Sequence, residues 1–272
     1  MKIIPCDGPF GVEILGLDIK HITDDELNAC SALQHKHGVI FFRDQQLDCQ
    51  QHIAFAERFG KIVINRFFER VEKYPQIAMV RKEPTHANVV GEDWHTDHSY
   101  DQEPARGSIL YAREVPPKGG GTLFINMYQV YESLSDGLKQ TLRGLRAVHS
   151  SRHVFGQQAQ QNDDERYNNA DLAQQDSIHP LVITHPLSGL QVLYINPDFT
   201  THIDGWTADE SASLLSYLYS VASHPKNILH FNWRKNDIAF WDNRATWHRA
   251  LNDYPGERRV MHRITLAGCA LN

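Results

Sequence analysis

The sequence predicts a mainly β fold with flanking helices, a double-sheet jelly roll with the helices packed outside. Short alternating or wholly apolar runs recur from Gly11 to Leu266, the pattern of half-buried and buried strands. Glycine- and proline-bearing turn signals separate them, as in Pro116-Pro117-Lys118-Gly119-Gly120-Gly121 and Pro186-Leu187-Ser188-Gly189. No internal repeat or linker divides the 272 residues, so residues 1–272 are expected to form one domain.

Taken in order, Gly11 to Asp18 alternates and suits a half-buried strand. Thr23-Asp24-Asp25-Glu26 is a capping box, and Leu27, Cys30, Leu33 and His37 continue it at helical spacing until Gly38. Val39-Ile40-Phe41-Phe42 is a short buried strand, and Gln51 to Gly60 a second helix closed by its glycine. Ile62 to Ile64 and Ile77 to Val80 are further strands, followed by Gly107 to Ala112 and Thr122 to Asn126. A helix is expected over Val130 to Leu145, its leucines forming a core-facing stripe. The Gln/Asn/Asp-rich run from Gln157 to Ser177 reads as a polar surface loop long enough to serve as a lid. Leu181 to His185 and Gln191 to Asn196 form a hairpin, and Thr207-Ala208-Asp209-Glu210 opens another capped helix. Ile228 to Trp233, Asp237 to Asp242 and Arg259 to Leu266 complete the strands.

Hydrophobic residues make up 41% and charged residues 22% of the chain, the balance of a soluble globular protein with a sizeable core. A net charge of −6 argues against nucleic acid as the main partner, which would favour a basic stripe. Cys6, Cys30, Cys49 and Cys269 show no C-x-x-C spacing and read as free thiols in a reducing compartment. No basic segment leads into an apolar run at the start, and no stretch is long enough to span a bilayer. The expected setting is cytoplasmic, without membrane contact.

The chemistry centres on Trp94-His95-Thr96-Asp97. On a strand, residues i and i+2 share a face, so the His95 imidazole and the Asp97 carboxylate would converge on one ion. A third ligand is available at His248, after Trp241-Asp242-Asn243-Arg244. Two histidines and a carboxylate form the facial triad of non-heme Fe(II) oxygenases, which leaves open coordination positions. A His-x-Asp alone is common in loops, and most of the 16 histidines belong to surface or packing. The same donor set also suits zinc and water activation, and a non-catalytic binding module can use the same fold.

Further motifs stand in order around this set: Arg58-Phe59-Gly60, Gly119-Gly120-Gly121-Thr122, His185-Pro186, and Arg259 with Met261-His262-Arg263. Together, from about Gly11 to Gly268, they resemble the taurine dioxygenase/2,4-dichlorophenoxyacetate dioxygenase family, which uses Fe(II), 2-oxoglutarate and O2. The resemblance implies one domain with a double-stranded β-helix, His95, Asp97 and His248 as metal ligands, and Thr122 and Arg259 on the distal carboxylate of 2-oxoglutarate. A guanidinium takes a carboxylate in a bidentate fork while a threonine hydroxyl donates a further bond. Arg258 is expected to point away from Arg259. Oxidation of a substrate C–H bond would then release succinate and carbon dioxide. Hydroxylation beside a heteroatom would give a product that expels sulfite or a phenol.

For the primary substrate, the resemblance places Arg263, on the same strand face as Arg259, at the position that contacts an anionic group. Phe155 and Phe199 match aromatic pocket positions. Asn65 and Phe68 stand where the taurine enzyme supplies a histidine and a tyrosine, and Gly91 where it supplies an asparagine. The expected pocket is therefore less polar than one built for taurine. Glu72 to Ile77 and His149 to Gly156 look closer to phenoxypropionate dioxygenases, which implies a small anionic substrate of phenoxyalkanoate or organosulfonate type. A biosynthetic hydroxylase of an amino acid or natural product is the rival within the family. The family's habit of assembly leaves a homo-oligomer, dimer or tetramer, open.

Overall fold

The computed structural model describes residues 1–158 and 166–271. Two sheets face each other across an aromatic core. Among the described residues the larger has nine strands. Its order is Lys2–Pro5, Val12–Leu15, Val39–Phe42, Ile238–Asp242, Gly107–Glu114, Arg259–Leu266, Tyr74–Lys82 and Arg70–Val71, with Ile62–Val63 paired to Arg259–Leu266. The smaller contains Ile228–Phe231, Thr122–Asn126 and Thr246–Ala250, all antiparallel.

The period of two places alternate residues of each strand in different cores. Phe41, Leu110, Trp241 and Met261 of the larger sheet meet Phe124 and Phe231 of the smaller between the sheets. Ile40, Phe42, Ile109, Phe240 and Ile264 point the other way, against Cys30 of helix Asp24–His37 and Phe55 and Ala56 of helix Cys49–Glu57. The outer face of the smaller sheet, through Ile125 and Trp247, packs on helix Ala208–Ala222, helix Met127–Glu132 and the hairpin of Val182–Thr184 with Gln191–Leu193. Among the described residues no helix is long and apolar enough to cross a membrane.

Both predicted capping boxes form, Thr23 with Glu26 and Thr207 with Glu210. Gly38, at φ 78°, ends the first helix. The second begins earlier than the apolar spacing indicates, because Asp48 and Gln51 make a third reciprocal box around Cys49. The single helix expected over Val130 to Leu145 is two, Met127–Glu132 and Asp136–Leu142. Ser133 Oγ bonds back to the Val130 carbonyl, and Ser135 restarts the chain by capping Leu138. The leucine stripe survives the break: Leu134, Leu138, Leu142 and Leu145 all pack in one cluster.

Of the polar loop and lid expected over Gln157 to Ser177, residues 159–165 lie outside the described residues. The rest is not all loop. A π-helical turn, Arg152–Gln158, runs into its start, Ala170–Leu172 is a 3-10 turn, and strand Asp176–Pro180 starts within it.

Candidate metal and cosubstrate site

His95 is brought to the site by a short borrowing of strand structure. Its N–H donates to the His248 carbonyl at 3.1 Å and its carbonyl accepts the His248 N–H at 2.8 Å. This bridge docks the 95 segment on strand Thr246–Ala250 and sets the two imidazole rings 4.1 Å apart. The strand expected through Asp97 goes no further. The Thr96 hydroxyl is held by the Asn243 carbonyl, and the chain turns at His98, where φ is 62°. The turn nevertheless keeps His95 and Asp97 on one side: His95 Nε2 lies 4.0 Å from Asp97 Oδ1, and His248 Nε2 3.9 Å from Asp97 Oδ2. One donor atom from each of the three residues falls within 4.8 Å of the others, and all three are buried.

The donor set fits a divalent first-row metal. His95 Nδ1 sits 2.8 Å from the Asp93 carbonyl, a bond that commits the Nδ1 proton and leaves Nε2 as the lone-pair donor. Burial, then the neighbouring His95, pushes the His248 pKa far below its ordinary value, so that ring is neutral as a ligand must be. Burial pushes Asp97 upward, but the neighbouring cationic groups, the Arg263 guanidinium first, outweigh it and hold the carboxyl well below the usual range. A carboxylate and two neutral imidazoles are the ligands expected for such an ion.

Asp97 is fixed from behind. Arg263 Nη1 donates to Oδ1 at 2.8 Å and Ser108 Oγ to Oδ2 at 2.7 Å. Ser108 is positioned by Asn243 Nδ2, and Asn243 Oδ1 by Trp241 Nε1. Within the Trp241-Asp242-Asn243 motif, Asn243 thus supports the site from behind, while the Trp241 ring also lines the cavity, 4.5 Å from the His248 ring. Asp242 faces elsewhere, pairing with His185 Nε2 at 3.0 Å and with the Arg244 guanidinium, which accounts for His185 as a structural residue.

Thr122 and Arg259 lie on opposite sheets and meet at the same cavity as the three candidate ligands. Arg259 is 3% exposed, and neither its Nε nor its Nη2 has a hydrogen-bond partner. Burial lowers its pKa, the signature of a cation held without a counter-charge. Thr122 Oγ1 accepts from Trp233 Nε1 at 2.9 Å, which leaves its proton to donate. Arg258 points outward to Glu83 and Glu114, as strand parity requires.

Phe68, Phe155 and Phe199 line this cavity, and all are buried. Arg263 lines it too, over the Phe68 ring at 4.6 Å. Asn65 does not. Its Oδ1 accepts the backbone N–H groups of Phe67 and Phe68, and its Nδ2 faces His98 Nε2 at 3.3 Å, so its short side chain is spent on its own turn. It acts by placing Phe68. Gly91 belongs to the wall: at φ 74°, a Cβ there would stand 2.9 Å from His95 Cε1.

Sequence reasoning missed Ser108, Tyr167 and Asp198. Ser108 had a signal, a lone polar residue on the inward face of an apolar strand. Tyr167, in a bridge with Phe68, was an isolated aromatic in a polar run. Asp198 carried none, and its side chain lines the cavity 3.8 Å from His95 Nδ1.

Comparison with known proteins finds that residues 2–265 match the model of the family "Taurine catabolism dioxygenase TauD, TfdA family". The chain is 34% identical to an alpha-ketoglutarate-dependent 2,4-dichlorophenoxyacetate dioxygenase of Burkholderia sp. (strain RASC), over 85% of this chain and 82% of that one. It is 30% identical to an alpha-ketoglutarate-dependent sulfate ester dioxygenase of Pseudomonas putida, over 98% and 90%. Among solved structures, a taurine dioxygenase from Burkholderia xenovorans superposes with a TM-score of 0.84 at 32% identity, covering 99% of this chain and 92% of that one.

Proposed function

The chain belongs to the taurine catabolism dioxygenase TauD, TfdA family, and from that membership we propose that it is an Fe(II)- and 2-oxoglutarate-dependent dioxygenase oxidising a small anionic organic molecule. Bound Fe(II), 2-oxoglutarate and O2 supply the oxidising chemistry, with succinate and carbon dioxide as co-products. The protein's part is to bind, orient and exclude water. His95 Nε2, Asp97 and His248 Nε2 hold the metal. Arg259 and Thr122 hold the distal carboxylate of 2-oxoglutarate.

The observation that carries this reading is Arg259. A buried guanidinium with two unpartnered N–H directions, at the cavity that also holds a His/Asp/His cluster, calls for a carboxylate. Hydrolysis at a zinc ion would leave that arginine without a task.

The substrate's apolar body packs against Phe68, Phe155 and Phe199, and its anionic group faces Arg263. Relatives named for a phenoxyacetate and for sulfonates support phenoxyalkanoate-like carboxylates or organosulfonates as the class. The two facing sheets are read as the family's double-stranded β-helix, within a single domain over 1–272, in a cytoplasmic protein.

Succinate formation under air, with Fe(II), 2-oxoglutarate and a panel of sulfonates, phenoxyalkanoates and amino acids, tests the reaction. Succinate should depend on a particular compound and vanish in His95→Ala and Arg259→Ala. Succinate that forms equally in those variants would overturn the reading.

A further inference from the structure

The Asp198 carboxylate lines the cavity wall with no hydrogen-bond partner among the described residues. Its side chain is 20% exposed. Among the described residues its ion-pair contact is His95 Nδ1 at 3.8 Å, beyond hydrogen-bond range, and that nitrogen is already engaged by the Asp93 carbonyl at 2.8 Å. Among the described residues no hydrogen bond reaches either oxygen.

A carboxylate on a cavity wall that no protein donor reaches points to a ligand that supplies the donor. Its surroundings narrow the kind. Phe155 and Phe199 stack with ring centres 5.8 Å apart, and Tyr167 lies 5.8 Å from Phe155. All three line the cavity with Asp198. A carboxylate beside aromatic faces suits a cation. Across the site, Arg263 stands against Asp97 as Asp198 stands against His95, so opposite charges flank the two candidate ligands.

Resting on the reading that this cavity holds the primary substrate, we propose that Asp198 recognises a protonated amine, so that the enzyme takes a zwitterion with an apolar body, its acid end toward Arg263 and its ammonium at Asp198. A phenoxyalkanoate or alkyl sulfonate without an amine would bury this carboxylate unpaired. Sites built to hydrogen-bond a substrate group reject analogues that lack it far more strongly than apolar pockets do.

The test uses the full chain loaded with Fe(II) and 2-oxoglutarate without oxygen. The probes are 4-(aminomethyl)benzoate and 4-methylbenzoate, which share a ring and an acid and differ in the ammonium. Binding is read as the perturbation of the metal-to-ligand charge-transfer band. Wild type should bind the aminomethyl probe at least tenfold more tightly. In Asp198→Asn the ratio should collapse to within about twofold, and Asp198→Glu should restore part of it. Equal affinities in wild type, no binding of either probe, or an unchanged ratio in Asp198→Asn would each overturn the proposal. If Asp198→Asn instead weakens Fe(II) binding and keeps the ratio, Asp198 serves His95 and recognises no amine. Absence of the band in wild type before any probe is added would strike the dioxygenase reading itself, so the two failures are distinguishable.

Discussion

Arg263 Nη1 stands 2.8 Å from Asp97 Oδ1, so the carboxylate assigned to the metal is already paired with a buried guanidinium. Breaking a buried pair by removing one partner leaves an uncompensated charge and costs about 3–5 kcal/mol. Arg263→Met should lower unfolding stability by that order in chemical denaturation. It should also lower Fe(II) affinity by about 10- to 100-fold, the usual effect of losing a partner that orients a metal ligand. Arg263→Lys keeps the charge but not the planar fork, and should fall between.

Arg259 is expected to behave in the opposite sense for stability. Its guanidinium lacks a counter-charge in the folded chain, so Arg259→Met should leave the cosubstrate-free protein as stable or more stable. The same change should weaken 2-oxoglutarate binding by about 2–5 kcal/mol, the range for truncating one side of a buried charge pair. Thermal unfolding with and without 2-oxoglutarate separates the effects, because only wild type should be stabilised by the ligand.

Gly91 holds a left-handed backbone against the His95 ring. Gly91→Ala should cost about 1–2 kcal/mol from backbone strain and push the imidazole from its position. Fe(II) titration should show at least a tenfold loss.

Acid should destabilise the fold through buried neutral histidines away from the site. His52 is fully buried with neither ring nitrogen partnered, and burial, helped by His262 and Arg113, pushes its pKa down to about 3. His262 is pushed down to about 4, again mainly by burial. Both titrate near pH 6.5 when unfolded. Their folded values are depressed, so the unfolded chain binds more protons below that pH. Their contribution is complete above pH 6.5 and is lost as pH falls toward 3. His52 alone gives a slope of up to about 1.4 kcal/mol per pH unit. His52→Phe should flatten the acid limb of a stability–pH profile.

Much of this was legible in the sequence because it depends on spacing. His95 and Asp97 are separated by one residue, Arg259 and Arg263 share a strand parity, and capping boxes announce two helices. What was not legible depends on turns and long-range partners. The His95–Asp97 segment is held by a bridge to His248 and by Asn243, not by a ladder of its own. Asn65 matched a pocket position, but its side chain is consumed by a local turn that no alignment of motifs reveals. The break between Met127–Glu132 and Asp136–Leu142 comes from two serines competing for backbone bonds within an intact apolar stripe. Asp198 reaches the cavity because it precedes Phe199, and nothing in Asn196-Pro197-Asp198 signals a site.

The most direct measurement is an anaerobic titration of 2-oxoglutarate into the Fe(II)-loaded protein. A metal-to-ligand charge-transfer band should rise to saturation at one 2-oxoglutarate per chain. It should be absent in His248→Ala and need far more 2-oxoglutarate in Arg259→Ala. An iron-loaded wild-type protein that develops no band would contradict the assignment of both the metal and the cosubstrate site.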